Sequence, residues 1–221
     1  MLRTEAVATI QRLLAFRVDL ESEALDELRQ AQAKFERQGI PLVSPWTGTF
    51  FPWFLLTEMA EVYVEAGEER IPLPADFVAE SEGDGFWRFD ASADRVWKPL
   101  AKLQTKQVRA RDLTGTEPLA YSRSGKYFRL FPVSTVVVQF KTVYYAADAV
   151  LSEADEENLW LKHLPDLMIG EAGWKLAAAL RDANAVQLFD RMRSEAAKGF
   201  FIANEAEEHV NVRYAMGGVE D

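Results

Sequence analysis

Apolar residues recur at helical spacing at both ends of the chain and alternate along its middle, and no other feature constrains the fold as strongly. A stretch patterned for one period cannot bury its apolar face in the other, so the switch divides the chain into helical flanks around a β-rich centre. From Thr4 to about Phe16, Val7, Ile10, Leu13 and Leu14 share a helix face. A break at Val18-Asp19 follows, where Asp19 is placed to cap the next helix. From Leu20 to Gln38, Ala24, Leu28, Ala31 and Phe35 form one apolar stripe, stopped by Gly39 and Pro41. These segments predict two antiparallel helices.

Residues 40–56 lose periodicity. Pro41, Pro45, Gly48 and Pro52 punctuate Trp46, Phe50, Phe51, Trp53 and Phe54, which predicts an aromatic loop covering a helix–sheet junction. The competing reading is a contact between subunits, because exposed aromatic patches mark interfaces. Strand alternation begins near Thr57, with Val62 and Val64 on one side. Arg70–Pro74 reads as an edge strand, because proline removes ladder donors. Short strands are expected at Phe86–Phe89 and Val96–Lys98, and a short helix over Leu100–Arg111. Tyr121–Tyr127 reads as a hairpin turning at Ser124-Gly125. Pro132 divides two strands between Phe128 and Tyr145, the second of which is expected to be buried on both faces.

Beyond Leu151 the helical period returns. Ser152 is placed as a cap with Asp155 three residues on, and acids crowd the first turn, where the helix dipole favours them. Pro165 ends this helix. A proline-free stretch to about Ala203 carries Trp174, Leu180, Phe189, Met192 and Phe200 as its apolar face, with Asp182 and Asn184 placed to divide it. The expected class is therefore α+β. Residues 1–56 and 150–203 make a discontinuous helical bundle, 57–149 an inserted antiparallel β-rich domain, and 204–221 a polar C-terminal tail.

The bulk numbers narrow function. With 35 acidic against 25 basic residues, a formal charge of −10, and no basic stripe, the chain is poorly suited to gripping phosphate backbones. Cysteine is absent, which removes disulfides, thiolate nucleophiles and Cys-ligated metals. The first sixteen residues are interrupted by Arg3, Glu5, Gln11 and Arg12, unlike a signal peptide. No apolar run approaches the roughly 20 residues of a membrane-spanning helix, and a soluble protein is expected.

Chemistry is sparse. The two histidines, His163 and His209, lack the HExxH or EF-hand context of a metal site. No GxSxG elbow or GxGxxG turn occurs, and Gly83-Asp84-Gly85 lacks the Lys-Ser/Thr that a phosphate loop needs. The acid clusters Glu68-Glu69, Glu80/Glu82/Asp84 and Glu205/Glu207/Glu208 read as solvated charge. Trp160 and Trp174 read as core. No catalytic, cofactor-binding or metal-binding residue is assigned, and no cofactor is expected.

Several stretches follow one another in a familiar order. Pro52-Trp53-Phe54-Leu55 precedes the first strand, and Arg70-Ile71-Pro72-Leu73-Pro74-Ala75-Asp76-Phe77-Val78 follows it. Gly115-Thr116-Glu117-Pro118-Leu119-Ala120-Tyr121, Phe131-Pro132 and Tyr144-Tyr145 come next. Leu151-Ser152, Asn158-Leu159-Trp160-Leu161 and Pro165-Asp166-Leu167-Met168 then lead to Arg181-Asp182, Phe189 and Met192. This series resembles the tailed-phage head-to-tail adaptor family, including the tail-tubular adaptors of short-tailed phages, over residues 4–200; residues 82–113 match none of its motifs. The resemblance implies a non-catalytic virion protein, a closed dodecameric ring docked beneath the portal in the neck, assembled in the host cytoplasm. It implies the portal and a tail or nozzle protein as partners, DNA passing through the channel without specific binding, and no membrane. Acidic residues along such a channel would keep the genome sliding. The alternative is a non-catalytic small-molecule or protein-binding module using the aromatic loop 46–54.

Overall fold

The computed structural model describes residues 1–44, 46–81, 86–90, 96–104, 115–152 and 157–216, with residue 60 and residues 204–216 described by their backbone alone. It is a mixed α+β protein whose sheets are mainly antiparallel, with five helices among the described residues. The chain separates into two compact units, one of residues 1–55 and 148–221, the other of 56–147.

In the first unit, α1 (Arg3–Leu13) and α2 (Glu21–Gln38) come first, followed by the short ladder β1 (Ile40–Pro41) with β2 (Thr49–Phe50). The chain returns as α3 (Leu159–His163), α4 (Pro165–Ala179) and α5 (Ala183–Met216). The stripe expected on α2 is its buried face: Ala24, Leu28, Ala31 and Phe35 are all within 1% of full burial. Gly39 ends α2 at φ +74°, where an added Cβ would lie 3.0 Å from the Phe50 carbonyl oxygen. Only glycine combines that dihedral with that approach.

Several local expectations are corrected. Asp19 does not cap α2; it pairs with Arg17 at 2.7 Å inside a 3₁₀ turn, Val18–Leu20. The first helix stops at Leu13, not Phe16, because Ala15 and Phe16 both adopt left-handed backbone, at φ +57° and +62°. That conformation costs a residue with a Cβ roughly 1–2 kcal/mol. The returning helix starts after Asn158, whose side chain accepts from the Leu161 amide, so Asn158 and not Ser152 is its cap. Asp155 lies outside the described residues. Pro165 opens α4 at its first turn. Leu180 sits exposed in the α4–α5 turn, and Asp182 accepts from the Asn184 and Ala185 amides to start α5. The helix expected to end near Ala203 continues to Met216.

Glu36 fastens the returning strand of chain. Its Oε1 accepts from Gln32 Nε2, from the Asp148 amide and from Trp160 Nε1, all at 3.0–3.1 Å. Asn158 Nδ2 donates to Gln32 Oε1 at 3.0 Å. Buried amides without such partners would cost more than the bonds themselves return.

α4 contacts each of the other four helices. Its approach to α5 depends on two glycines. A Cβ on Gly170 would lie 2.8 Å from the Arg193 backbone nitrogen, and one on Gly173 would lie 2.3 Å from the Phe189 ring.

The second unit holds two sheets. One orders β4 (Arg70–Pro72), β10 (Tyr127–Phe131), β9 (Ala120–Ser124) and β8 (Ala101–Lys102), with β4 on the edge and β8 parallel to β9. The other orders β3 (Leu56–Val64), β11 (Val138–Ala146), β6 (Phe86–Asp90) and β7 (Val96–Pro99), with β5 (Phe77–Glu80) also on β11. Both contribute to one core, including Val64, Phe86, Tyr121, Phe128, Leu130 and Phe140. β3 and β11 run side by side with Leu56 opposite Tyr145. The β9–β10 turn is Gly125-Lys126, one residue later than expected, with Gly125 at φ +61°. β11 alternates along most of its length, with Val138, Phe140, Thr142 and Tyr144 inward, so burial on both faces is corrected to one buried face. Residues 101–102 form a strand, not the start of a helix, and 105–111 of that expected helix lie outside the described residues.

Replacing Gly173 with Ala forces Phe189 to move and should destabilise the helical unit by roughly 1–3 kcal/mol. Gly199 is the control, because a Cβ added there would meet nothing within 4 Å; Gly199→Ala should stabilise by about 0.5–1 kcal/mol. Thermal unfolding followed by helical circular dichroism distinguishes the two signs.

Candidate functional site

Glu171 lies on α4 at 2% exposure, facing α2 on one side and α5 on the other. A buried carboxylate needs full compensation, and two cations supply it. Lys34 Nζ donates at 2.6 Å to one oxygen and Arg193 Nη1 at 2.8 Å to the other. Arg193 also donates to Asp190 and lies over the Trp174 ring, 4.4 Å from its centroid. One acid thereby ties three helices. Burial alone would raise the Glu171 carboxyl, but Lys34 and Arg193 outweigh it and hold it below the usual carboxylate range.

Beside this clamp is a pocket of about 260 Å³. Leu42, Val43, Leu167 and Ala197 give it apolar walls, with Lys34 and Arg193 at its polar side. A second hollow of about 320 Å³ lies beside His163, Asp166, Gly199 and Phe200.

The aromatic loop is packed onto the helical unit itself. Trp46 meets Phe201 at 5.4 Å, Phe50 meets both Phe200 and Phe201, and Phe54 meets Phe200 at 5.9 Å. Phe54 also stacks on His163 at 5.0 Å and meets Trp160 edge-on, while Trp53 approaches His163 at 5.2 Å. Such pairs add about 0.5–1.5 kcal/mol each beyond area burial. The segment therefore braces α3 and α5. Trp53 remains 41% exposed.

His163, one of the two candidate histidines, is an aromatic-stacked residue at the end of α3. Burial, with Lys162 beside it, pushes its imidazole below the ordinary value against the opposing pull of Glu157. His209 lies in the backbone-only part of α5. Among the described residues no cluster of three metal-ligating side chains occurs. The acid clusters are dispersed by the fold. Glu69 pairs with Arg70 and Arg129. Glu80 is not solvated as expected: it accepts from Tyr121 Oη at 3.0 Å and pairs with Lys102 at 2.8 Å. Burial, with Glu80 beside it, pushes the Tyr121 hydroxyl up. Glu82 and Asp84 lie outside the described residues, as do the side chains of Glu205, Glu207 and Glu208. Trp160 is fully buried against Phe35, and Trp174 is half-buried beneath Arg193. Glu171 had no sequence signal as a site; its partners lie 137 and 22 residues away.

Because the folded value of Glu171 lies below the unfolded one, its contribution to stability is present above the unfolded value of about 4.3. It is lost as pH falls through the folded value. Glu171→Gln should cost about 1.5–3 kcal/mol near neutrality, the worth of hydrogen bonds to a charged group, because Lys34 and Arg193 keep access to water and Arg193 still pairs with Asp190. That deficit should shrink on acidification, read as the difference in thermal midpoint between wild type and variant across a pH series.

The chain is similar, over residues 1–215, to the model of one protein family, described as the SU10 adaptor protein. Comparison with curated proteins returns no match. With nearly the whole length matched, through both helical flanks and the β-rich centre between them, the chain belongs to the SU10 adaptor protein family, a family of phage structural adaptors.

Proposed function

We propose that the chain is the repeating subunit of a closed ring that docks beneath the portal of a tailed-phage head and extends its DNA channel toward the tail. The observation that carries this is the family match across residues 1–215. In this reading residues 1–56 and 150–203 act as a helical bundle that forms the body of each subunit, 57–149 as an inserted β-rich domain, and 204–221 as a terminal segment for the portal. A braced α4–α5 pair supports it, since a ring subunit must transmit load without repacking. DNA passes the ring without specific binding, and a share of the excess acidic residues along the channel keeps it from sticking. Heterologous contacts between identical copies close a ring when their rotation permits it. The portal and a tail or nozzle protein are its partners, and the ring needs no cofactor or enzymatic step.

Mixing the purified chain with its portal should yield a stoichiometric complex by native mass measurement and a ring coaxial with the portal by electron microscopy. A chain that remains monomeric with portal present would count decisively against the reading.

A further inference from the structure

The turn between α4 and α5 places an arginine where helix ends ordinarily place glycine. The Arg181 amide donates to the Ala178 carbonyl at 3.1 Å, and the Asp182 amide reaches back to the Ala177 carbonyl at 3.0 Å. These two reverse bonds close a helix through one left-handed residue, and Arg181 is that residue, at φ +59°. Glycine takes this conformation freely, whereas a Cβ makes it costly. Asp182 then caps α5 through the Asn184 and Ala185 amides, so the backbone is held on both sides of the arginine. Arg181 itself is exposed and has no ion pair among the described residues. Leu180 beside it is 38% exposed. Strain of this kind clusters at functional sites, and here the fold spends it on presenting a cation and an apolar side chain together.

The opposite end of the same helix pair offers a complementary surface. The hollow of about 320 Å³ at the start of α4 is lined by Asp166, Ala196, Gly199, Phe200 and Ala203, among others. It is open to an incoming group: Asp166, Gly199 and Ala203 are exposed, and a Cβ on Gly199 would meet nothing within 4 Å. A cavity of about 150 Å³ takes a benzene ring, so this hollow has room for two side chains. Asp166 has neither an ion pair nor a side-chain hydrogen bond among the described residues. The pocket beside Glu171 differs, because its two cations are already committed to that carboxylate. Arginine and carboxylate form strong, directional pairs, and the leucine suits the apolar part of the lining. Arg181 and Asp166 stand at opposite ends of α4, roughly 20 Å apart at the rise of an α-helix, so they cannot meet within one chain.

We infer that the Leu180-Arg181 turn of one copy seats in the Asp166 hollow of a second copy, with Arg181 paired to Asp166 and Leu180 against Ala196 and Phe200. The two surfaces differ, so the contact is heterologous, the type that builds rings; its closure into a ring rests on the function proposed above.

Charge exchange in the full chain, assembled with portal, tests the contact. Arg181→Asp and Asp166→Arg should each weaken self-association on the order of tenfold, the worth of hydrogen bonds between charged groups. The double variant should recover wild-type assembly, because the exchanged charges again meet across copies. Arg181→Gly removes the cation and relieves the backbone, so it should melt no earlier than wild type while still losing the contact. A double variant no better than its parents, or Arg181→Gly assembling like wild type, would overturn this contact and leave the ring standing. A wild-type chain that stays monomeric with portal would overturn both.

Discussion

Gly170, Glu171 and Gly173 occupy a single turn of α4, and the helical unit is organised around them. The glycines let α5 approach until Arg193 and Phe189 fill the space that side chains would otherwise take. The glutamate then converts that proximity into direction, because its two oxygens are satisfied only if Lys34 on α2 and Arg193 on α5 both arrive. Apolar packing alone tolerates sliding, as volume-conserving rearrangements cost little. A buried carboxylate between two cations does not. Removing either cation leaves one oxygen of a buried carboxylate without its partner, which is why such groups are stronger arguments for register than for net stability.

The same logic recurs where the chain returns from the β-rich unit. Glu36 collects a side-chain amide, a backbone amide and an indole on one oxygen, fixing residues 148–160 against α2. In the β-rich unit, Glu80 holds Tyr121 and Lys102, and Asp76 accepts from Tyr144, whose hydroxyl is pushed up to about 12, chiefly by burial. The acids that make the chain so negative are thus partly internal fasteners and only partly surface charge.

The elements that were legible in the sequence are those whose signal is local. The α2 stripe, the edge strand around Pro72 and the short strands at Phe86 and Val96 need only a window of neighbouring residues to be recognised. What was illegible depends on distant partners. Asp19 and Ser152 look like caps by type, but Asp19 is claimed by Arg17 and the returning helix begins later, at Asn158, which also reaches Gln32. Lys175, four residues on, is the partner the sequence offers Glu171, but it pairs with Glu27 on α2 while Glu171 takes the distant Lys34 and Arg193. The Ala15-Phe16 turn carries none of the Gly, Asn or Pro signals that mark left-handed backbone, so a helix to Phe16 was the natural expectation. The aromatic loop was recognisable as greasy but not as a brace for α5, because its partners, Phe200 and Phe201, come 150 residues later.

The pairing of β3 with β11 has a kinetic consequence. It sets Leu56 opposite Tyr145, so the first and last strands of the inserted unit are neighbours in one ladder. While that unit is unfolded, bringing the amino-terminal helices to the carboxy-terminal ones means closing a loop of the whole insertion. Once it has folded, the remaining search is nearly local, and the entropy of closure falls accordingly. Early maturation of the β-rich segment would then act as an intramolecular staple for the helices on either side. A short linker across the same two points should preserve the topology of the helices, making the insertion exchangeable without rewiring the body that carries it.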